Sequence, residues 1–67
     1  MKIKINGNSK EFKGDKITPK QLINLLKLEG KRFAIERNGE IIPKNHFDGI
    51  YIDDGDEIEI IGAVGGG

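Results

Sequence analysis

Three glycines, Gly65, Gly66 and Gly67, close the 67-residue chain, and a carboxylate that follows residues without side chains suits one kind of chemistry. A narrow channel in another protein passes a backbone that lacks Cβ atoms, and nothing on a terminal glycine obstructs attack at its carbonyl carbon. The matching reaction is activation of the carboxylate as an acyl adenylate by a separate ATP-using enzyme, followed by capture by a nucleophile. Gly62, Ala63 and Val64 stand before the glycines; as an extended, flexible arm the six residues would reach roughly 20 Å at ~3.3 Å each. Gly67 is thus the candidate acceptor, Gly66 and Gly65 the slim lead-in, and Gly62 to Val64 the arm. Taken alone, the same run also reads as a plain flexible end or a cloning remnant.

The other chemistry-bearing residues offer less. His46 is the only histidine and there is no cysteine, so no thiolate or paired-histidine metal site can be assembled, and His46 reads as structural or incidental. Asp53, Asp54 and Asp56 surround Gly55, but the distal glutamate of a twelve-residue calcium loop is missing, and a tight turn accounts for them. Phe47 and Tyr51 read either as partner contacts or as packing against a sheet. No nucleophile stands with a paired base and no glycine-rich loop links a strand to a helix, so the chain is expected to bind no cofactor and to catalyse nothing. ATP, with Mg, would belong to the partner.

Charge is unevenly placed. All eleven Lys and Arg lie between Lys2 and Lys44 with five acids among them, while the stretch from Asp48 onward carries six acids and no base. This gives either an acidic collar near the tail that steers it to a basic partner or a first and last strand lying side by side, their lysines facing glutamates within the fold. The lysines are interspersed with acids and accompanied by few aromatics, which speaks against nucleic acid. Apolar runs are only a few residues long and the N-terminus alternates, so neither a membrane span nor a signal peptide is expected. With no cysteine to oxidise, the chain reads as cytoplasmic.

The elements that must position the tail follow from periodicity and turn chemistry. Ile3 and Ile5 alternate with Lys2 and Lys4, Asn6-Gly7-Asn8 turns, and Ser9 to Lys13 returns as the second arm of a hairpin. Thr18-Pro19 starts a helix, Leu22, Leu25 and Leu26 with Ile23 give its buried stripe, and Gly30 is expected to close it. Phe33 to Arg37, Asn38-Gly39 and Glu40 to Ile42 form a second hairpin ended by Pro43. An irregular connection over Lys44 to Asp48 and a short piece at Tyr51 and Ile52 follow. The Asp53 to Asp56 turn then leads into a last strand, Glu57 to Ile61.

Hairpin, helix, hairpin and final strand make an α+β domain at residues 1–61. It is a mixed sheet of four to five strands with one helix across one face, the β-grasp or ubiquitin-like fold, with a flexible Gly-rich tail at residues 62–67. Its centre is expected to be the first and last strands running parallel. One domain is all that 67 residues can hold.

Across its whole length the sequence resembles the ThiS family of sulfur carriers of thiamine biosynthesis. The residues that carry the resemblance are Asn6-Gly7, the run Ile35-Glu36-Arg37-Asn38-Gly39-Glu40-Ile41-Ile42-Pro43, the turn Asp54-Gly55-Asp56-Glu57-Ile58, and the closing glycines. The resemblance implies that Gly67 is adenylated and converted to a thiocarboxylate, with Gly66 its required neighbour, and that the sulfur passes to thiazole. It implies as partners a ThiF-like adenylating enzyme, a ThiG-like thiazole synthase and a sulfur donor such as a cysteine desulfurase system, with the free chain a monomer. The small subunit of molybdopterin synthase is similar in fold and tail, but it is usually longer and has a proline before its glycines that is missing here. A ubiquitin-like protein modifier and a non-carrier β-grasp module binding RNA or protein remain the other readings. The third glycine, Gly65, is the one departure from the commonest carrier ending.

Overall fold

The computed structural model describes residues 1–62. A five-stranded sheet runs in the order β2-β1-β7-β4-β5, and a two-stranded ribbon, β3-β6, stands apart from it. The strands are β1 (Lys2–Ile5), β2 (Asn8–Glu11), β3 (Lys16–Ile17), β4 (Phe33–Arg37), β5 (Glu40–Ile41), β6 (Ile52–Asp53) and β7 (Glu57–Gly62), with one helix, α1 (Pro19–Leu25), and a 3-10 turn at Lys44–His46. β1 and β7 are parallel neighbours, Lys4 facing Glu57 and Ile5 facing Ile58, and all other pairings are antiparallel. The β-grasp expected from the sequence is therefore the fold observed.

Alternation places the core. Ile3 and Ile5 of β1, Ile35 of β4 and Ile58 of β7 point to one side of the sheet and are buried, meeting Leu22 and Ile23 of α1 together with Ile17, Ile42 and Ile52. Both hairpins turn through Asn-Gly with both residues in the left-handed region, Asn6 at φ 51° and Gly7 at 85°, Asn38 at 51° and Gly39 at 89°. That type I′ geometry matches the twist of the strands it joins.

The helix begins as the sequence implies and ends earlier. Thr18 Oγ1 accepts from the Gln21 N–H at 3.1 Å while the Thr18 N–H donates to Gln21 Oε1 at 2.9 Å, a reciprocal capping box with Pro19 at the first helical position. Gly30 does not close it. The chain leaves α1 through Lys27, held at φ 58°, with the Leu28 N–H donating to the Ile23 carbonyl and the Lys27 N–H to the Asn24 carbonyl. These two bonds make a Schellman ending with a lysine where glycine is usual. Leu25, still within α1, faces outward and is 59% exposed, so the buried stripe is Pro19, Leu22 and Ile23, with Leu26 packed against it.

A left-handed lysine carries a Cβ penalty that glycine does not. Lys27→Gly is therefore expected to raise stability by about 0.5–1 kcal/mol, read as a higher denaturant midpoint with unchanged slope. An unchanged or lowered midpoint would show that the lysine conformation is unstrained.

Candidate functional site

The described site is the root of the tail, where β7 ends. Gly62 faces Phe33, Ile61 faces Ala34 and Ile60 faces Ile35 across the antiparallel β4–β7 ladder. The last strand thus runs one residue further than the sequence reading placed it. Gly62 belongs to the ladder and not to the arm. Ala63, Val64, Gly65, Gly66 and Gly67 lie outside the described residues.

β7 is fastened at both ends by the asparagines of the two hairpin turns. Near its start, the Asn38 N–H donates to the Glu57 carbonyl at 2.8 Å, and Asn38 Oδ1 accepts from the Glu57 N–H at 2.9 Å. Near its end, where β1 has already turned away, Asn6 Oδ1 accepts from the Ile60 N–H at 2.8 Å, and the Asn6 N–H donates to the Ile58 carbonyl at 2.9 Å. The side chain of Asn6 thereby continues the parallel ladder beyond the last strand residue of β1. The left-handed conformation is what aims both amides at β7, so the same two residues make the turns and anchor the strand that leads to the tail.

The acidic turn lies at the opposite end of β7 from Gly62. Asp56 Oδ2 accepts from Arg37 Nε at 2.8 Å and from the Asp53 N–H at 2.9 Å, Asp56 Oδ1 accepts from Asn38 Nδ2 at 3.1 Å, and Asp53 Oδ2 meets the Arg37 guanidinium at 3.3 Å. Asp54 Oδ1 accepts from the Lys2 N–H at 2.6 Å. Three carboxylates that the sequence could have offered to a cation are therefore engaged by a guanidinium, an asparagine and the backbone. They bind the turn to β1 and β4 and do not form a collar around the tail root. The first and last strands do lie side by side, as the alternative reading of the charge pattern required. Among the described residues, however, the ion pairs at bonding distance are those of Arg37 and not lysine–glutamate pairs.

Burial alone would push the Asp56 carboxyl up. The Asp53 N–H, the Asn38 amide and the Arg37 guanidinium together outweigh it and hold the group below the ordinary value of 3.8. A carboxyl depressed on folding stabilises the fold above its unfolded value, and that contribution disappears as pH falls through the lower folded value. Stability is thus expected to decline on acidification below about pH 4, with Asp56→Asn flattening that part of the profile in denaturant titrations. Parallel profiles for the two proteins would refute the assignment.

The remaining candidates are placed simply. His46 is exposed in the 3-10 turn. Phe47 is half-buried against the core, and Tyr51 is half-exposed beneath Lys16, whose Nζ stands 4.6 Å from the ring centre. No helix among the described residues is long and apolar enough to cross a membrane.

A five-stranded mixed sheet with one helix across it and a last strand delivering the C-terminus defines a ubiquitin-like β-grasp protein. The model of the ThiS family matches residues 3–67, and the chain belongs to that family of sulfur carriers of thiamine biosynthesis. It is 38% identical over 65 residues to the sulfur carrier protein ThiS of Bacillus subtilis, covering 97% of this chain and 98% of that one. The crystal structure of the thiamine biosynthesis protein ThiS from Geobacter metallireducens superposes with a TM-score of 0.86 at 29% identity, with both chains covered in full. A thiazole synthase of Paramagnetospirillum magneticum is 37% identical over 67 residues; the chain spans all of itself but only 20% of that protein.

Proposed function

We propose that this chain carries sulfur for thiazole formation on the carboxylate of Gly67. A ThiF-like partner holding ATP and Mg activates that carboxylate: a carboxylate oxygen attacks the α-phosphorus, pyrophosphate leaves, and an acyl adenylate results. Hydrosulfide, released when a reducing thiol attacks the persulfide of a cysteine desulfurase system and is itself oxidised to a disulfide, then adds to the acyl carbon and displaces AMP, leaving a thiocarboxylate. A ThiG-like thiazole synthase takes the sulfur onto a carbonyl carbon of its substrate, an oxygen from that carbonyl or from water takes its place, and the chain returns as the carboxylate. ATP is bound by the partner and not by this chain, and the whole cycle is placed in the cytoplasm.

The observation that carries the reading is the family match running through the closing glycines, residues 3–67, together with near-complete coverage of the Bacillus carrier. The similarity of a stretch of a thiazole synthase to the entire chain supports thiazole, and not molybdopterin, as the destination. Five residues follow Gly62 in the sequence, and if fully extended they would span roughly 17 Å at ~3.3 Å each. That distance is enough to pass the carboxylate from the edge of β7 into a partner's active site. Gly65 and Gly66 keep the approach free of side chains.

The test follows isotopically labelled sulfur. The full chain is incubated with MgATP, the adenylating partner and labelled sulfide, then with the thiazole synthase and its carbon substrates. Label is expected to enter the protein and then leave it for thiazole. Label that never enters the protein would refute the carrier reading. Conjugates of Gly67 with lysines, seen as a ladder on a blot, would replace it with a protein modifier.

A further inference from the structure

The tail root borders a groove that the carrier cycle as described does not use. Gly62 pairs with Phe33, and Phe33 lines an open groove of about 520 Å³ between α1, the loop that follows it and the 3-10 turn. Leu28, Phe33 and Phe47 are half-buried and give the groove an apolar floor. Lys20, Lys31, Arg32 and Lys44 stand exposed around it, against only two acids, Glu29 and Asp48. Among the described residues none of these four bases is in an ion pair. The Lys20 N–H donates to the Phe47 carbonyl at 2.9 Å and ties the helix start to the far wall, so the two sides of the groove are held together.

The opposite face of the sheet is charged differently. Glu57 and Glu59 of β7 stand exposed on the face of the sheet away from the helix, level with Lys4 and Glu36. The basic groove opens on the helix side of the tail root, while on the other side Glu57 and Glu59 alternate with the exposed Ile61 along β7, and Ile41 stands exposed opposite Glu36. A partner that draws in the tail must come to rest against one or the other. The groove joins an apolar floor to unpaired basic charge beside the tail root, the combination that makes a desolvated centre inside a charged rim.

We infer that the groove at Leu28, Phe33 and Phe47, rimmed by Lys20, Lys31, Arg32 and Lys44, seats an acidic segment of the adenylating partner that carries an apolar side chain at its centre. Charge complementarity steers the encounter and fixes which way the tail points when it enters the active site. The inference rests on the carrier reading and adds to it the chemistry of the partner's docking element.

The test is ATP–pyrophosphate exchange by the adenylating partner as a function of carrier concentration and salt, using the full chain. Lys31→Glu/Arg32→Glu is expected to raise the carrier KM roughly tenfold or more while kcat stays within about twofold, and to flatten the dependence of KM on salt. Lys31→Gln/Arg32→Gln gives an intermediate rise. Lys10→Glu/Lys13→Glu makes the same change in net charge away from the groove and leaves KM within about twofold. A KM unchanged in the groove variants, or an equal rise in the Lys10 and Lys13 variant, overturns the inference. A wild-type chain that supports no exchange is a separate result: it removes the carrier reading and this docking element with it.

Discussion

Deleting Gly66 and Gly67 is expected to leave the melting temperature within about 1–2 °C of the full chain while reducing adenylation at least roughly a thousandfold. The first half follows from where stability resides. Among the described residues, every buried core residue lies between Ile3 and Ile58, and the last ladder pair is Gly62 with Phe33. The second half follows from position. Removing two residues draws the terminal carbonyl carbon back by roughly 7 Å, and a misplacement of even about 1 Å already costs on the order of a hundredfold in an oriented reaction. Thermal melts and pyrophosphate exchange on the same preparation check both halves. A truncated chain that is still adenylated at the normal rate would show that the terminus is not the acceptor.

The second large effect is on the domain itself. Ile35 lies at the middle of β4, is completely buried, faces Ile60 across the ladder and accepts the Ile42 N–H at its carbonyl. Ile35→Ala removes buried side-chain volume that α1 and the flanking strands cannot refill, at a cost of about 2–5 kcal/mol. A chain of this size holds only about 3–10 kcal/mol in total, so the variant should be partly or wholly unfolded at 37 °C. Leu25→Ala, on the outward face of the same core's helix, should cost under about 0.5 kcal/mol. Denaturant titration separates the two. Equal losses would mean that Leu25 is covered in solution and the helix face is wrongly assigned.

What the residues reveal in advance, and what they do not, divides along physical lines. The Asn-Gly turns, the Thr18-Pro19 start and the alternation of Ile3, Ile5, Ile35 and Ile58 are local signals, and each produced the element it implies. The parallel pairing of first and last strand followed from topology, because a helix between two hairpins leaves few other ways to bury one sheet face. β3 did not show: Lys16 and Ile17 pair with Asp53 and Ile52 over two residues each, too short for any period to register. The helix end was missed because glycine is the usual left-handed residue, and here tertiary contact of Leu28 with the core places Lys27 there instead.

At the site, residue type suggested the candidate reactive end, because side-chain-free residues suit a threaded terminus, and its closing residues lie outside the described ones. The support for it was not legible in this way. That Asn6 reaches past the end of β1 to the Ile60 N–H depends on the turn's left-handed geometry meeting a strand 54 residues away in sequence. The engagement of the Asp53 to Asp56 turn by Arg37 likewise needs the β4–β7 register before it can be seen. Neither residue carries a sequence pattern that announces its partner.

The central claim is that sulfur travels on the carboxylate of Gly67. Its most direct test is the intact mass of the native protein isolated from cells making thiamine, alongside the same protein after incubation with MgATP, the adenylating partner and a sulfur donor. The account predicts a species in which one terminal oxygen has been replaced by sulfur, mapped by fragmentation to Gly67 and absent when Gly66 and Gly67 are deleted. A protein that retains both oxygens under all these conditions with active cognate enzymes, or that carries its sulfur anywhere else, would contradict it.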